Sequence, residues 1–200
     1  DKWNIDPHNP DVDKLINELD KHMVYWTKIA KDYGVLEKAH IYGFDEGRLD
    51  AVIERVFRHL KENYPDIPIY STARFGDPDT PAVKYLDIWC PILPKYINRP
   101  ELIQALRKKG KKVWWYVCNY PRPPEPTFLL EVPAAVPRLI MGMMSVKYRP
   151  DGFLYWSVIA WRNKTHKIME YGPRTEWDAA TCWNVDNGDG NLFVPGLNRA

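Results

Sequence analysis

The sequence predicts an α/β fold that forms part of a (β/α)8 barrel of the TIM type, with about five parallel βα units. Short apolar runs of strand-forming residues alternate with longer stretches whose apolar residues recur at helical spacing. Many of these runs are apolar throughout, which is typical of parallel strands buried on both faces. Because no glycine-rich phosphate loop follows any predicted strand, the pattern favours a barrel over a doubly wound dinucleotide-binding sheet.

Four helices are predicted from apolar residues spaced three and four positions apart, over residues 11–33, 48–63, 99–109 and 134–148. Gly34 is placed to end the first of them as a C-terminal cap. The apolar face of this first helix consists of Val12, Leu15, Ile16, Leu19, Met23, Trp26 and Ile29. The methionines of the last helix are expected to fill core space, as unbranched side chains commonly do: Met141, Met143 and Met144.

Five strands are predicted between these helices, over residues 38–45, 67–72, 85–90, 112–118 and 153–158. A proline-rich loop separates the fourth strand from the last helix. We therefore expect a single catalytic-type domain over residues 1–200, whose residues 159–200 form an irregular C-terminal loop region.

The composition excludes several classes of function. The 200 residues contain 28 basic and 26 acidic side chains, and this balance indicates neither nucleic acid nor an anionic membrane as a partner. No apolar run is long enough to predict a membrane span. The nine tryptophans and twelve tyrosines combine a flat apolar face with a polar edge, which suits a core and also a groove that stacks on sugar rings.

Two adjacent acids, Asp45 and Glu46, stand at the carboxyl end of the first predicted strand, where α/β folds bind ligands. Successive side chains of a regular strand point to opposite faces, so both acids reach one pocket only if the chain turns, as Gly47 permits. The alternative is that Asp45 caps a helix starting near Arg48, while Glu46 favours the positive end of that helix.

The other predicted strand ends carry aromatic residues and few titratable groups. No histidine pairs with a serine or cysteine at a recognisable spacing, and no metal-binding motif such as H-E-x-x-H is present. Acids and indoles around one pocket are typical of glycosidases. The alternative for the tryptophans is that they fill the barrel, and strand alternation requires this of about half of them.

Five segments, taken together and in order, resemble the catalytic region of glycoside hydrolase family 123 and its uncharacterised relatives. They are IYGFDE, YLDIWCP, KVWWYVCNYPRPP, DGFLYW and GDGNLFVPG. The resemblance covers about residues 11–196, and it differs from the family where Gly47 stands in the place of a frequent proline. Since family barrels have further strands before the Asp-Glu strand, the resemblance implies the second part of a barrel, truncated at both ends.

The resemblance implies a retaining β-N-acetylgalactosaminidase-type hydrolase without a cofactor or a metal. In such enzymes the 2-acetamido oxygen of the sugar attacks the anomeric carbon. Carried over, Asp45 orients the acetamido group and Glu46 is the general acid and then the base. The implied partners are an N-acetyl-amino sugar glycoside and the missing part of the barrel itself, and the implied location is secreted or periplasmic.

Six further residues are candidates for binding the sugar: Trp89, Tyr116, Asn119, Tyr155, Trp156 and Asp189. Asp189 lies between two glycines, so a plain turn is the alternative for it. Two other functions stay open at this point. One is a non-catalytic partial barrel that binds carbohydrate, and the other is an ordinary two-carboxylate glycosidase that uses Glu46 with a distant acid such as Asp87.

Overall fold

The chain is a mixed α/β protein with parallel strands, as a computed structural model describes it for residues 8–47, 51–75, 77–129, 132–158, 189, 190 and 192. It divides into two compact units, which are described separately. The first comprises Asp1–Pro91 with Arg99–Trp114, and the second Ile92–Asn98 with Trp115–Ala200. The single domain stays a prediction, and most of the irregular region predicted for residues 159–200 lies outside the described residues.

The first unit contains three helices, α1 Pro10–Asp32, α2 Ala51–Asn63 and α4 Pro100–Lys108. The side chain of Asn9 caps α1 by accepting a 2.9 Å hydrogen bond from the amide of Asp11. Gly34 follows α1 with a φ of 64°, as predicted for a helix end that needs left-handed backbone. The helical predictions are therefore confirmed for these three segments, with residues 48–50 outside the described part of the chain.

The apolar face predicted for α1 is only partly covered. Val12 and Ile16 are buried, whereas Leu15 and Trp26 are exposed over 47% and 60% of their surface. The spacing of apolar residues thus predicts the helix correctly. Burial of these residues also depends on a neighbouring element that packs against them, which the spacing does not specify.

A four-stranded parallel sheet lies beside these helices in the order β1-β2-β3-β4. Its strands are β1 Ile41–Tyr42, β2 Ile69–Ser71, β3 Ile88–Trp89 and β4 Lys112–Val113. They pair in the sequential order that consecutive βα units produce in a barrel. The parallel βα arrangement is confirmed, and closure into a barrel stays a prediction.

One face of this sheet is packed against helices. Successive side chains of a strand point to opposite faces, so every second residue of each strand lies on this face. Ile69, Ser71, Trp89 and Val113 are fully buried on that face. Gly43 follows β1 on the same side, and a Cβ atom on it would lie 2.7 Å from Cε1 of Phe57 in α2. The glycine therefore allows α2 to approach the sheet directly before the acid pair.

We expect the substitution Gly43→Ala to destabilise the protein by about 1–3 kcal/mol, since its methyl group overlaps the fully buried Phe57 ring. The matched control is Gly142→Ala, where an added Cβ meets nothing within 4 Å and helix propensity favours alanine. Equilibrium unfolding in urea measures both variants. A Gly43→Ala midpoint equal to that of the wild type would contradict the close packing of α2.

The second unit contains the parallel pair β5 Trp115–Val117 and β6 Phe153–Tyr155. A short helix, α3 Leu93–Ile97, also belongs to it and was not predicted, because five residues with a proline in the first turn carry little periodic signal. Trp115 is fully buried and packs edge-on against the ring of Tyr96, with centroids 5.1 Å apart.

The methionine-rich segment is helical throughout, as α5 Ala135–Leu139, a π-helical turn Ile140–Met144 and α6 Ser145–Tyr148. The expectation that its methionines fill the core is wrong for two of them. Met141 and Met143 are exposed, and Ile140 is the buried residue of the turn. None of the described helices is both long and apolar enough to span a membrane.

Candidate active site

Asp45 and Glu46 lie shortly after β1, beyond Gly43 and Phe44, and Thr72 follows the neighbouring strand β2. Because parallel neighbours end at the same edge of a sheet, these three residues meet at the carboxyl edge of the sheet. Asp45 is exposed, Glu46 is half-buried and Thr72 is 5% exposed. The two acids are thus open to solvent, whereas Thr72 is buried at the end of β2.

The Asp45 carboxylate accepts two hydrogen bonds from hydroxyl groups. The Tyr42 hydroxyl donates to Oδ1 at 2.5 Å and the Thr72 hydroxyl donates to the same oxygen at 2.8 Å. Among the described residues, none donates to Oδ2 of Asp45. Both hydroxyl groups therefore hold the carboxylate by the same oxygen.

Glu46 is held through both its main chain and its side chain. Its amide donates to the Thr72 hydroxyl at 2.9 Å. Its carboxylate oxygen Oε2 lies 3.2 Å from Nη2 of Arg74, an exposed side chain that is placed beside the acid pair. Arg74 thus forms an ion pair with the acid that sequence analysis assigned as the proton donor.

The turn that carries the acids is made by Phe44 and Glu46, which have φ values of 56° and 49°. Gly47, which was expected to permit the turn, does not have a positive φ, so the left-handed backbone falls on these two residues instead. Left-handed backbone at non-glycine residues costs about 1–2 kcal/mol each. The turn persists only because neighbouring structure holds it.

The end of β2 supplies the groups that hold this turn. The Ser71 hydroxyl donates to the Phe44 carbonyl at 3.0 Å, and the Arg74 amide donates to the Gly47 carbonyl at 2.7 Å. Of the two described hydrogen bonds of Asp45, one comes from Thr72 at this strand end and the other from Tyr42 in β1. The alternative that Asp45 caps α2 involves residues 48–50, which lie outside the described residues.

Aromatic rings line the sheet face below Asp45. Tyr42 and Tyr70 stack with centroids 4.7 Å apart, and Trp114 lies 5.5 Å from Tyr70. His40 lies 5.7 Å from the Trp114 ring. None of these four residues was predicted as a site residue, and the available signal was the two-residue spacing of His40 and Tyr42, which places them on one face of a strand.

Burial and the Asp45 carboxylate both raise the pKa of the Tyr42 phenol above its ordinary value. Desolvation disfavours the phenolate, and a phenolate beside an ionised carboxylate is disfavoured further. Tyr42 therefore keeps its proton throughout the physiological range and acts as a hydrogen-bond donor to Asp45.

A second cluster of predicted site residues forms within the second unit. The Trp156 indole N–H donates to Oδ1 of Asp189 at 2.9 Å, and the Tyr155 hydroxyl lies 3.4 Å from the same oxygen. Asp189 is 5% exposed, and the amide of Gly190 donates to the Tyr155 hydroxyl at 2.9 Å. The three predicted residues Tyr155, Trp156 and Asp189 therefore lie together.

Burial is the main reason that the pKa of the Tyr155 phenol is raised. The nearby Asp189 carboxylate raises it as well. The cluster thus combines a protonated phenol, an indole N–H and a buried carboxylate, which is a polar set that suits hydroxyl groups.

Other predicted residues are placed differently. Trp89 is fully buried and its indole N–H donates to the Ala73 carbonyl at 3.0 Å, so we assign it to the core instead of the sugar-binding set. Tyr116 is 7% exposed within β5, and Asn119 is half-buried in the bend after β5. A role in sugar binding stays a prediction for both residues, which have little exposed surface.

Asp87 precedes β3 and therefore lies at the amino edge of the sheet, opposite Asp45. Its Oδ2 accepts a 2.7 Å hydrogen bond from the Ile69 amide and lies 2.7 Å from Nζ of Lys61. These contacts remove Asp87 as the second carboxylate of an ordinary glycosidase. In the described ranges, no group of three or more His, Cys, Asp or Glu side chains is arranged to hold a metal ion.

Comparisons with known proteins point to one family. A family model described as the catalytic domain of glycoside hydrolase 123 matches residues 3–199. A similar solved structure is that of a family 123 glycoside hydrolase from Clostridium perfringens, studied for glycolipid glycan hydrolysis. It superposes with a TM-score of 0.58 at 16% identity, over 90% of this chain and 30% of that chain. A search of curated proteins gives no match.

At this identity the likeness to the solved structure shows the fold alone. The chain spans less than a third of the length of that enzyme.

Proposed function

Since the chain belongs to glycoside hydrolase family 123, we propose that it hydrolyses β-linked N-acetyl-amino sugars with help from the acetamido group of the substrate. The family match confirms the resemblance found in the sequence. The observation that carries the mechanism is the Asp45 carboxylate, which two hydroxyl groups hold by one oxygen, and one of these hydroxyls also binds the amide of Glu46.

In this proposal Asp45 binds the acetamido N–H of the sugar through Oδ2. The bond orients the acetamido group and increases the electron density of its carbonyl oxygen, which attacks the anomeric carbon. The Tyr42 and Thr72 hydroxyls support this role, because both bind Oδ1 and neither occupies Oδ2. Stabilisation of a developing charge by a fixed dipole or charge makes a large contribution to the rate of an enzymatic reaction.

Glu46 is the proposed general acid for the leaving glycosidic oxygen. When that oxygen has departed, the Glu46 carboxylate removes a proton from water, and the water opens the cyclic intermediate with overall retention. Its half-exposed side chain supports exchange of protons with solvent. No protein nucleophile is required, so a pair of adjacent acids is sufficient for the reaction.

A direct test uses an aryl N-acetyl-β-galactosaminide and the matching aryl β-galactoside, which lacks the acetamido group. We expect release of the phenol only from the first, with the β-anomer as the initial product in the proton NMR spectrum. Turnover of both substrates at equal rates would overturn the acetamido mechanism. Calorimetric binding of N-acetylgalactosamine without turnover of either would favour a non-catalytic carbohydrate-binding protein.

The cluster of Tyr155, Trp156 and Asp189 is proposed to bind sugar hydroxyls. Its support is a buried carboxylate next to an indole ring that is 39% exposed. We expect Trp156→Leu to weaken N-acetylgalactosamine binding about 3–10-fold, the range that loss of one aromatic contact produces. Calorimetry measures this effect, and Trp26→Leu on the exposed side of α1 is the matched control. Equal affinities for the two variants would refute the role of Trp156.

A further inference from the structure

We propose that Thr72 is a positioning residue that sets the geometry of the acid pair, an inference that rests on the proposed function of Asp45 and Glu46. Its hydroxyl hydrogen-bonds the side chain of Asp45 at 2.8 Å and the amide of Glu46 at 2.9 Å. One hydroxyl group therefore couples the residue proposed to orient the acetamido group to the residue proposed to transfer the proton.

The direction of each bond follows from the atoms available. A threonine hydroxyl has one hydrogen and two lone pairs. The amide of Glu46 can only donate, so the Thr72 oxygen accepts there and its hydrogen is left for Oδ1 of Asp45. The Tyr42 hydroxyl, 3.0 Å from the Thr72 oxygen and 2.5 Å from Oδ1, completes the same network as a donor to Asp45.

Thr72 can hold the acids because it is more rigidly placed than they are. It is nearly buried at the end of β2, between Ser71 and Ala73, which are 0% and 1% exposed. The acids belong to a turn with two left-handed residues, Phe44 and Glu46, which has no regular secondary structure of its own. The sheet therefore determines the position of the acids through Thr72.

The substitution Thr72→Val keeps the shape of the side chain and removes both hydrogen bonds. We expect kcat to fall about 10–100-fold with little change in KM, since a small misplacement of a catalytic group can cost about 100-fold. The substitution Thr72→Ser keeps the hydroxyl and is expected to restore kcat to within about threefold of the wild type. A Thr72→Ser variant as slow as Thr72→Val would overturn the role of the hydroxyl.

A double-mutant cycle separates positioning from a general loss of structure. If Thr72 acts through Asp45, adding Thr72→Val to Asp45→Asn should lower kcat by less than about threefold more, because the effects of coupled residues are not additive. A further loss as large as in the wild-type background, found in both the Asp45→Asn and the Glu46→Gln backgrounds, would place the effect outside the acid pair and overturn the proposal.

A measurement without substrate tests the positioning role of Thr72 independently of the proposed function. Hydrogen exchange of the Glu46 amide, followed by NMR on the full chain, should be at least about tenfold faster in Thr72→Val and unchanged in Thr72→Ser. Unchanged exchange in Thr72→Val would overturn the positioning role even if the enzyme is active. An inactive wild-type protein with the expected exchange pattern would overturn the proposed hydrolase and leave Thr72 as the residue that holds the turn.

Discussion

Replacing Glu46 by glutamine is expected to lower kcat by about 10²–10⁴-fold on a substrate with a poor leaving group, such as a disaccharide. The amide keeps the shape of the side chain but cannot supply the proton that the departing oxygen requires. On an aryl glycoside whose phenol leaves without protonation, the first step should lose much less. This dependence on the leaving group identifies the acid, because a general structural defect would slow all substrates alike.

The control for this variant is Glu37→Gln, an exposed acid in the short 3₁₀ helix Leu36–Lys38 of the same unit. It removes the same charge without touching the acid pair, and its kcat should equal that of the wild type. If Glu46→Gln retained wild-type activity on disaccharides, Glu46 would not be the proton donor.

The Asp45→Asn variant is expected to lose about 10²–10³-fold in kcat, the usual effect of removing one group that stabilises charge in the transition state. Asparagine can still occupy the space beside Tyr42 and Thr72, but it carries no charge to stabilise the developing oxazolinium ion. The loss should be similar for good and poor leaving groups, in contrast to that of Glu46→Gln.

Substrates with one, two or three fluorine atoms on the acetamido methyl group provide the discriminating measurement. Fluorine weakens the carbonyl oxygen as a nucleophile, so the wild-type rate should fall steeply along the series. Asp66→Asn, in the exposed turn after α2, is the charge-matched control and should follow the wild type. A wild-type rate that does not change with fluorination would exclude the acetamido group as the nucleophile.

The buried residues of a helix were predictable where the spacing of its apolar residues alone determines which of them are covered. The buried residues of α2 are Val52, Ile53, Val56, Phe57 and Leu60, all of which the spacing predicted. In α1 the same reasoning identified the helix but not the exposure of Leu15 and Trp26, because a periodic pattern does not specify which surfaces receive a neighbour. The same limit applies to Met141 and Met143.

Strand positions were predictable and strand lengths were not. The run over residues 112–118 reads as one strand, but Lys112–Val113 pairs with β3 and Trp115–Val117 pairs with β6. Pairing depends on the register of neighbouring strands, which is a contact between distant residues. For the same reason Trp89, which precedes a cysteine and a proline at a strand end, was assigned to the site although it lies in the core.

The sequence by itself determined the alternation of helices and strands, the adjacency of Asp45 and Glu46 at a strand end, and the family. These properties are encoded by neighbouring residues and short motifs, so no long-range contact is needed to recognise them. Only the tertiary structure decided that Phe44 and Glu46 form the turn, and that Tyr42 and Thr72 hold Asp45 by one oxygen. The contacts from Thr72 depend on β2 lying beside β1, a pairing of residues about thirty positions apart.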